Sequence, residues 1–198
     1  MPVTPAYLWF DAEFTSLELE TAELLQVAVI ATDAQLNRLA PPATDLNLFV
    51  KIDNREGISP WVLENIPQIV DGCLSESAMD IEEIDNRFAQ YVDEIIGGPF
   101  ETIYERPVLA GNSVHNDWFL ARKHMPAFFS RLHYRILDVS TLKLQWQDWK
   151  QKPEFRKDPA AIQQYFPTAN LSEGMIEHDA YYDIHASIAE LAFYRASM

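Results

Sequence analysis

Leu24-Leu25-Gln26-Val27-Ala28-Val29-Ile30-Ala31-Thr32 is the stretch on which the fold turns. Its short length and its β-branched residues predict a strand rather than a helix. Upstream, residues 7–10 (Tyr-Leu-Trp-Phe) form an aromatic and aliphatic run that ends at Asp11, the pattern of a buried strand. Downstream, Asp33-Ala34-Gln35-Leu36-Asn37 reads as a turn, and residues 46–52 alternate well enough for a third strand. Three strands with short connections predict an antiparallel meander at the front of the chain.

The hydrophobic period then changes. Residues 59–69 read as a helix, with Ser59 as N-cap and Pro60 at the first helical position. Residues 81–96 are a clearer amphipathic helix: Ile81, Ile84, Phe88, Tyr91, Val92 and Ile95 recur at helical spacing, and Gly97-Gly98-Pro99 stops it. Residues 107–110 predict a fourth strand, 114–124 a helix, 134–137 a fifth strand and 140–149 another helix. Residues 150–159 are polar and proline-bearing and read as a loop. A last helix is expected over 180–196, with Ile184, Ile188, Leu191 and Ala192 on one face. The expected fold class is therefore α/β, a mixed five-stranded sheet with helices on both faces. With no internal repeat, low-complexity tract or linker, one domain over residues 1–198 is expected.

The chain has 198 residues, 48% of them hydrophobic, which suits a globular domain with a sizeable core and excludes a disordered chain. Lys plus Arg is 15 and Asp plus Glu is 30, a formal charge of 15 − 30 = −15. A protein that grips long DNA or RNA carries a basic stripe to neutralise phosphates, and none is visible. Either this chain binds no nucleic acid, or it binds a piece too short to need one. Its one cysteine, Cys73, excludes an internal disulfide and fits a reducing cytosol. The N-terminus MPVTPAYLWFDAEF lacks the basic-then-apolar pattern of a signal peptide. No apolar run approaches the roughly 18 residues of a membrane helix, so a cytoplasmic chain without a membrane span is expected.

Three acidic stretches carry the chemistry. Asp11-Ala12-Glu13 sits at a strand end, where period-two geometry sends both carboxylates to one face of the sheet. Asp117 follows Gly111-Asn112-Ser113-Val114-His115-Asn116, after a strand and in the first turns of a helix. Glu177-His178-Asp179-Ala180-Tyr181-Tyr182-Asp183 opens the last helix. Phosphodiester hydrolysis by two metals needs oxygen ligands holding two ions roughly 4 Å apart, and hard cations prefer carboxylates. A neutral histidine beside them can accept a proton from the attacking water. Each piece alone has a plainer account: a solvated turn for Asp11 and Glu13, an offset to the helix dipole for Asp117, a structural role for His178. Asp179, adjacent to His178, reads as the cap of the last helix.

In this order the motifs resemble the DEDD-type 3′→5′ exonucleases with a catalytic histidine, and among them the oligoribonuclease family. Two further segments resemble that family: His133-Tyr134-Arg135-Ile136-Leu137-Asp138-Val139-Ser140-Thr141-Leu142-Lys143 and Ala189-Glu190-Leu191-Ala192-Phe193-Tyr194-Arg195. The resemblance covers about two-thirds of the chain. It implies a ribonuclease H-like fold, a homodimer, and a Mg²⁺- or Mn²⁺-dependent enzyme with two divalent cations. The implied substrate is very short RNA, chiefly dinucleotides, cut to 5′-mononucleotides. It makes Asp11, Glu13, Asp117 and Asp183 the metal ligands and His178 the general base. By the same matching Leu17 wedges between adjacent bases and Trp61 stacks on one of them. Asn112 belongs with the substrate-binding residues, Ser113 and Arg135 hold the 5′-phosphate, and Tyr134 reaches across the dimer. A pocket that caps the 5′ end needs no basic groove, which reconciles a charge of −15 with a nuclease.

Other readings of these residues remain open. Trp61 is either a stacking platform or core, and Tyr134 and Arg135 serve either the substrate or only a dimer interface. Ile66 stands where the family usually places a pocket histidine, and the 98–106 and 151–173 segments diverge. A broader exonuclease on longer RNA or single-stranded DNA, or a catalytically idle interaction module, are the competing functions.

Overall fold

The structure is a computed structural model in which residues 6–150, 154–172 and 175–197 are described. Residues 1–5 of the N-terminal segment, 151–153 of the expected loop and Glu173 of the divergent segment lie outside the described residues.

Strand β1 (Tyr7–Phe14) pairs antiparallel with β2 (Leu24–Thr32), and β2 pairs antiparallel with β3 (Leu46–Phe49). On the other edge of β1, β4 (Val108–Gly111) joins in parallel, and β5 (Ile136–Asp138) joins β4 in parallel. The order β3-β2-β1-β4-β5 is the expected mixed five-stranded sheet. All nine residues of β2 are buried. The central strand β1 runs on past its apolar run, because β2 supplies backbone partners as far as Phe14: Asp11 lies opposite Ala28 and Glu13 opposite Gln26. β3 stops earlier than expected, at Phe49, and β5 starts later, at Ile136, which leaves Tyr134 and Arg135 outside any strand.

The helix expected over 59–69 is two: α1 (Pro60–Asn65) and α2 (Pro67–Cys73). Ser59 caps α1, its Oγ accepting the Val62 N–H at 3.3 Å. Pro67 makes the break, since a residue before proline is driven out of helical backbone, and Ile66 sits at φ −132°, ψ 47°. Helix α3 (Ile81–Ile96) has the predicted bounds and ends at Gly97, whose φ of 100° suits a residue without a side chain. There follow α4 (His115–His124), α5 (Pro126–Phe129) and α6 (Val139–Gln145), the last continued by a π-type turn over Trp146–Lys150. Helix α7 (Pro159–Tyr165) falls in the divergent segment, where no helix was expected. Its signature is present nonetheless: Pro159 at the first position and Asp158 accepting the Ala161 N–H. The chain closes with α8 (Ala180–Ser197).

Helices cover both faces. Leu8, Phe10, Val27 and Val29 pack under α3, α4 and α5, where Phe10, Phe88 and Phe128 meet ring to ring. Trp9, Ala28 and Ile30 pack under α6, α7 and α8. A small third cluster joins α1 and α2 to Leu25 and holds Ile66. No described helix is long and apolar enough to cross a membrane.

Candidate active site

Alternation along β1 puts Asp11 and Glu13 on the same face as Trp9, while Ala12 turns into the opposite core. The parallel pairing of β1 with β4 ends at Trp9 opposite Ala110. Beyond that point Asp117 supplies a partner: its Oδ1 accepts the Ala12 N–H at 3.0 Å. Asp117 is 5% exposed. Asp117 is therefore buried against β1 rather than solvated at the start of α4.

The start of α8 is seated on β2 by Gln26, a residue that belongs to none of the acidic motifs. Gln26, fully buried, donates through Nε2 to Asp179 Oδ2 at 3.0 Å and to Asn47 Oδ1 at 2.9 Å, and its Oε1 accepts the Ala180 N–H at 3.0 Å. Asp179 Oδ1 accepts the Tyr181 and Tyr182 N–H groups, so it caps the helix as expected. One turn on, Asp183 Oδ2 accepts the His178 N–H at 2.8 Å. His178 holds φ 65°, in the left-handed region that non-glycine residues rarely occupy, and such strain concentrates at functional sites. Its ring meets Trp61 edge to face at 5.2 Å.

A cleft of about 800 Å³ gathers Asp11, Glu13, Asp117, His178 and Asp183, together with Leu17, Trp61, Asn112 and Ser113. Glu13, His178 and Asp183 present ligand atoms within 4.8 Å of one another. Trp61 is 50% exposed and Leu17 85%, so both stand on the cleft rather than in the core. Asn112 donates through Nδ2 to Glu190 Oε2 at 2.8 Å, and Glu190 Oε1 in turn accepts the Tyr194 hydroxyl. The Asn112 Oδ1 is buried and without a hydrogen-bond partner. Ser113, at φ 50°, directs its N–H to Asp138 Oδ1 and Ser140 Oγ.

Tyr134 and Arg135 do not join this group within one chain. Tyr134 is exposed and stacks on His133 at 4.4 Å, and the Arg135 guanidinium sits 5.4 Å over the Tyr134 ring. Ile66 is buried in the third cluster and does not line the cleft. The charged lining residue that sequence reading missed beside the carboxylates is Lys157, whose Nζ donates to Asp183 Oδ1 at 3.1 Å.

The carboxylates crowd one another. Burial first, then the charges of Asp117, Asp183 and Glu13, hold the Asp11 carboxyl well above its usual range. Burial and the charges of Asp183 and Asp179 push Glu13 up to about 7. Burial lifts Asp117 to about 8, against hydrogen bonds from its own and the Ala12 backbone N–H groups. Lys157 works the other way, lowering both Asp11 and Glu13. Its own burial disfavours an ammonium, but Asp183, Asp11 and Glu190 together outweigh that and its pKa is raised. A donor set dominated by carboxylate oxygens, with one lysine against several acids, suits a hard divalent cation.

A mixed five-stranded sheet in the order β3-β2-β1-β4-β5 with helices on both faces is the ribonuclease H-like fold of nuclease domains. Solved structures share that fold. Cell-death related nuclease 4 superposes at a TM-score of 0.64 with 19% identity over 99% of this chain, which spans 65% of that nuclease. A product-bound exonuclease I gives 0.65 with 13% identity over 98% of this chain and 44% of its own. In sequence, residues 8–191 match the family model described as exonuclease, RNase_T. The mitochondrial oligoribonuclease of Bos taurus is 33% identical over 95% of this chain and 71% of its own length. The oligoribonuclease of Francisella tularensis is 27% identical over 96% and 94%. The chain belongs to the exonuclease family and, within it, to the oligoribonucleases.

Proposed function

We propose that this 3′→5′ exoribonuclease acts on very short RNA, chiefly dinucleotides, and releases 5′-mononucleotides as a cytoplasmic homodimer. The observation that carries the proposal is the cleft itself. About 800 Å³ is the size of a small-molecule site, not of a groove that tracks a long strand. Lys157 is the only lysine or arginine among its described lining residues. A long polyanion would meet carboxylates along its path, whereas a dinucleotide needs only its ends held.

Asp11, Glu13, Asp117 and Asp183 would hold two divalent cations, Mg²⁺ or Mn²⁺, which when bound neutralise charge on the scissile phosphate and polarise it. The remaining roles fall to the chain's own groups. His178, exposed beside Glu13 and Asp183, takes the proton of the attacking water. Trp61 offers a half-open indole face that stacks on any base, and Leu17 projects far enough to wedge between adjacent bases. Ser113 and Asn112 receive the 5′ end. Tyr134 and Arg135, outside their own cleft, gain access to substrate when a second copy brings them to the partner's cleft, and an arginine fork suits a terminal phosphate.

Turnover of a 5′-phosphorylated RNA dinucleotide and heptamer, with Mg²⁺ and Mn²⁺ in turn, tests this reading. The dinucleotide should be turned over much faster than the heptamer. Comparable rates would overturn the length limit and favour a broader exonuclease.

A further inference from the structure

The stretch ahead of α7 delivers a positive charge, Lys157, into the acidic cleft. Two anchors hold residues 154–157 in place. Phe155 is buried in the core under α8, against Tyr165 and Phe193. The Tyr182 hydroxyl donates to the Lys157 carbonyl at 2.6 Å. From that anchored backbone the Lys157 side chain, about three-quarters covered at 28% exposure, reaches Asp183 Oδ1 at 3.1 Å. The other Asp183 oxygen already accepts the His178 N–H. Both oxygens of this carboxylate are thus engaged by the chain itself.

We propose that Lys157 is an internal counter-ion that competes with a divalent cation for Asp183. The inference rests on the reading of Asp183 as a metal ligand. A cation that takes Oδ1 must displace the ammonium, because two positive charges do not share one carboxylate oxygen without strong mutual repulsion. Lys157 therefore steadies the crowded carboxylates of Asp11, Glu13 and Asp183 while no cation is bound, and it raises the cation concentration at which the site fills.

Calorimetric titration of Mn²⁺ into the full chain, with no substrate present, tests this with Lys157→Met, Lys157→Arg and Asp183→Asn. Circular dichroism checks that each is folded, and methionine keeps most of the aliphatic stem. Lys157→Met should bind Mn²⁺ roughly two- to fivefold more tightly, the scale of one partly exposed ion pair, and should melt at a lower temperature in chelator. Lys157→Arg should stay close to wild type on both counts. Unchanged or weaker binding by Lys157→Met overturns the proposal, as does an arginine variant that behaves like the methionine one. Asp183→Asn separates the two levels. If it binds Mn²⁺ as tightly as wild type, the ligand reading itself falls. If it binds weakly while Lys157→Met is unchanged, only the competition falls.

Discussion

The carboxylate of Asp117 and the backbone N–H of Ala12 meet at 3.0 Å across 105 residues of chain. This bond ties the first turn of α4 to the residue between Asp11 and Glu13, so three carboxylates are set by one strand and one helix start. It also makes Asp117 separable into two functions. Asparagine keeps an oxygen for the Ala12 N–H but carries no charge. Asp117 in the fold has its pKa raised to about 8. Such a group is easiest to accommodate when protonated, and its ionisation costs stability as pH rises above the unfolded value near 3.9. At pH 7.5 in chelator, Asp117→Asn should therefore melt roughly 2–4 °C higher for each kcal/mol of repulsion relieved. It should lose nuclease activity. Wild type should gain about 2.7 kcal/mol at a cation concentration of 100 times Kd, and the variant much less. A metal-free variant no more stable than wild type would show that the crowding is not felt.

Gln26 makes a different kind of prediction, because it touches no substrate. Gln26→Leu leaves the Ala180 N–H, the Asp179 Oδ2 and the Asn47 side chain without their partner beneath α8. Buried polar groups stripped of a partner cost about 1–3 kcal/mol each, softened where water enters. A melting temperature lower by roughly 5–15 °C is expected, with a fall in kcat because the same turn carries His178 and Asp183. Differential scanning calorimetry and single-turnover kinetics check the pair. Unchanged values would mean that apolar packing alone seats α8.

Trp61 and His178 should separate by kinetic parameter. Removing His178 as alanine should lower kcat roughly 10²–10⁴-fold, the scale of general-base loss, and leave KM nearly unchanged. Trp61→Ala should raise KM by about 5–150-fold, the equivalent of roughly 1–3 kcal/mol of stacking. It should also lower kcat modestly, since the indole packs against the His178 ring at 5.2 Å between centroids. Trp61→Phe should recover most of both. A Trp61→Ala enzyme with wild-type KM would remove the base from this position.

Outside the residues that line the cleft, His185 sets a pH dependence of stability. Its ring is fully buried, Nδ1 donates to the Tyr181 carbonyl at 2.6 Å, and Nε2 accepts the Asn170 N–H at 3.1 Å. Burial above all, with the Arg38 charge beside it, lowers its pKa to about 4. The unfolded chain takes up a proton near pH 6.5 and the folded one does not until about 4. Its contribution, on the order of 2–3 kcal/mol, is complete above pH 6.5 and is lost as pH falls toward 4. Urea denaturation of wild type and His185→Gln at pH 7 and pH 4.5 isolates it. Wild type should lose more stability between the two than the variant, and equal losses would sink the assignment.

Much of this molecule is legible locally. The bounds of β2 and α3, the Ser59 and Asp179 caps and the stop at Gly97 follow from side-chain period and cap chemistry within a few residues. The break at Ile66 was equally local, since Pro67 announces it, and the spacing of the apolar residues on either side hid it. Helix α7 carried its Asp158-Pro159 start but too short a pattern to stand out. The extra length of β1 was not local at all. It depends on the partners that β2 offers to Asp11 and Glu13.

The sequence alone singled out the acidic residues and the histidine that one cleft gathers. The face shared by Asp11 and Glu13 follows from a two-residue period, and the His178-to-Asp183 spacing from one helix start. Tertiary structure alone decided how those groups are held and balanced: Asp117 turned onto Ala12, Gln26 under α8, Lys157 against Asp183 and Tyr134 outside its own cleft. The reason is that hydrogen-bond and charge energies depend on separation in space. For pairs as many as 154 residues apart, such as Gln26 and Ala180, only packing brings that separation to 3.0 Å.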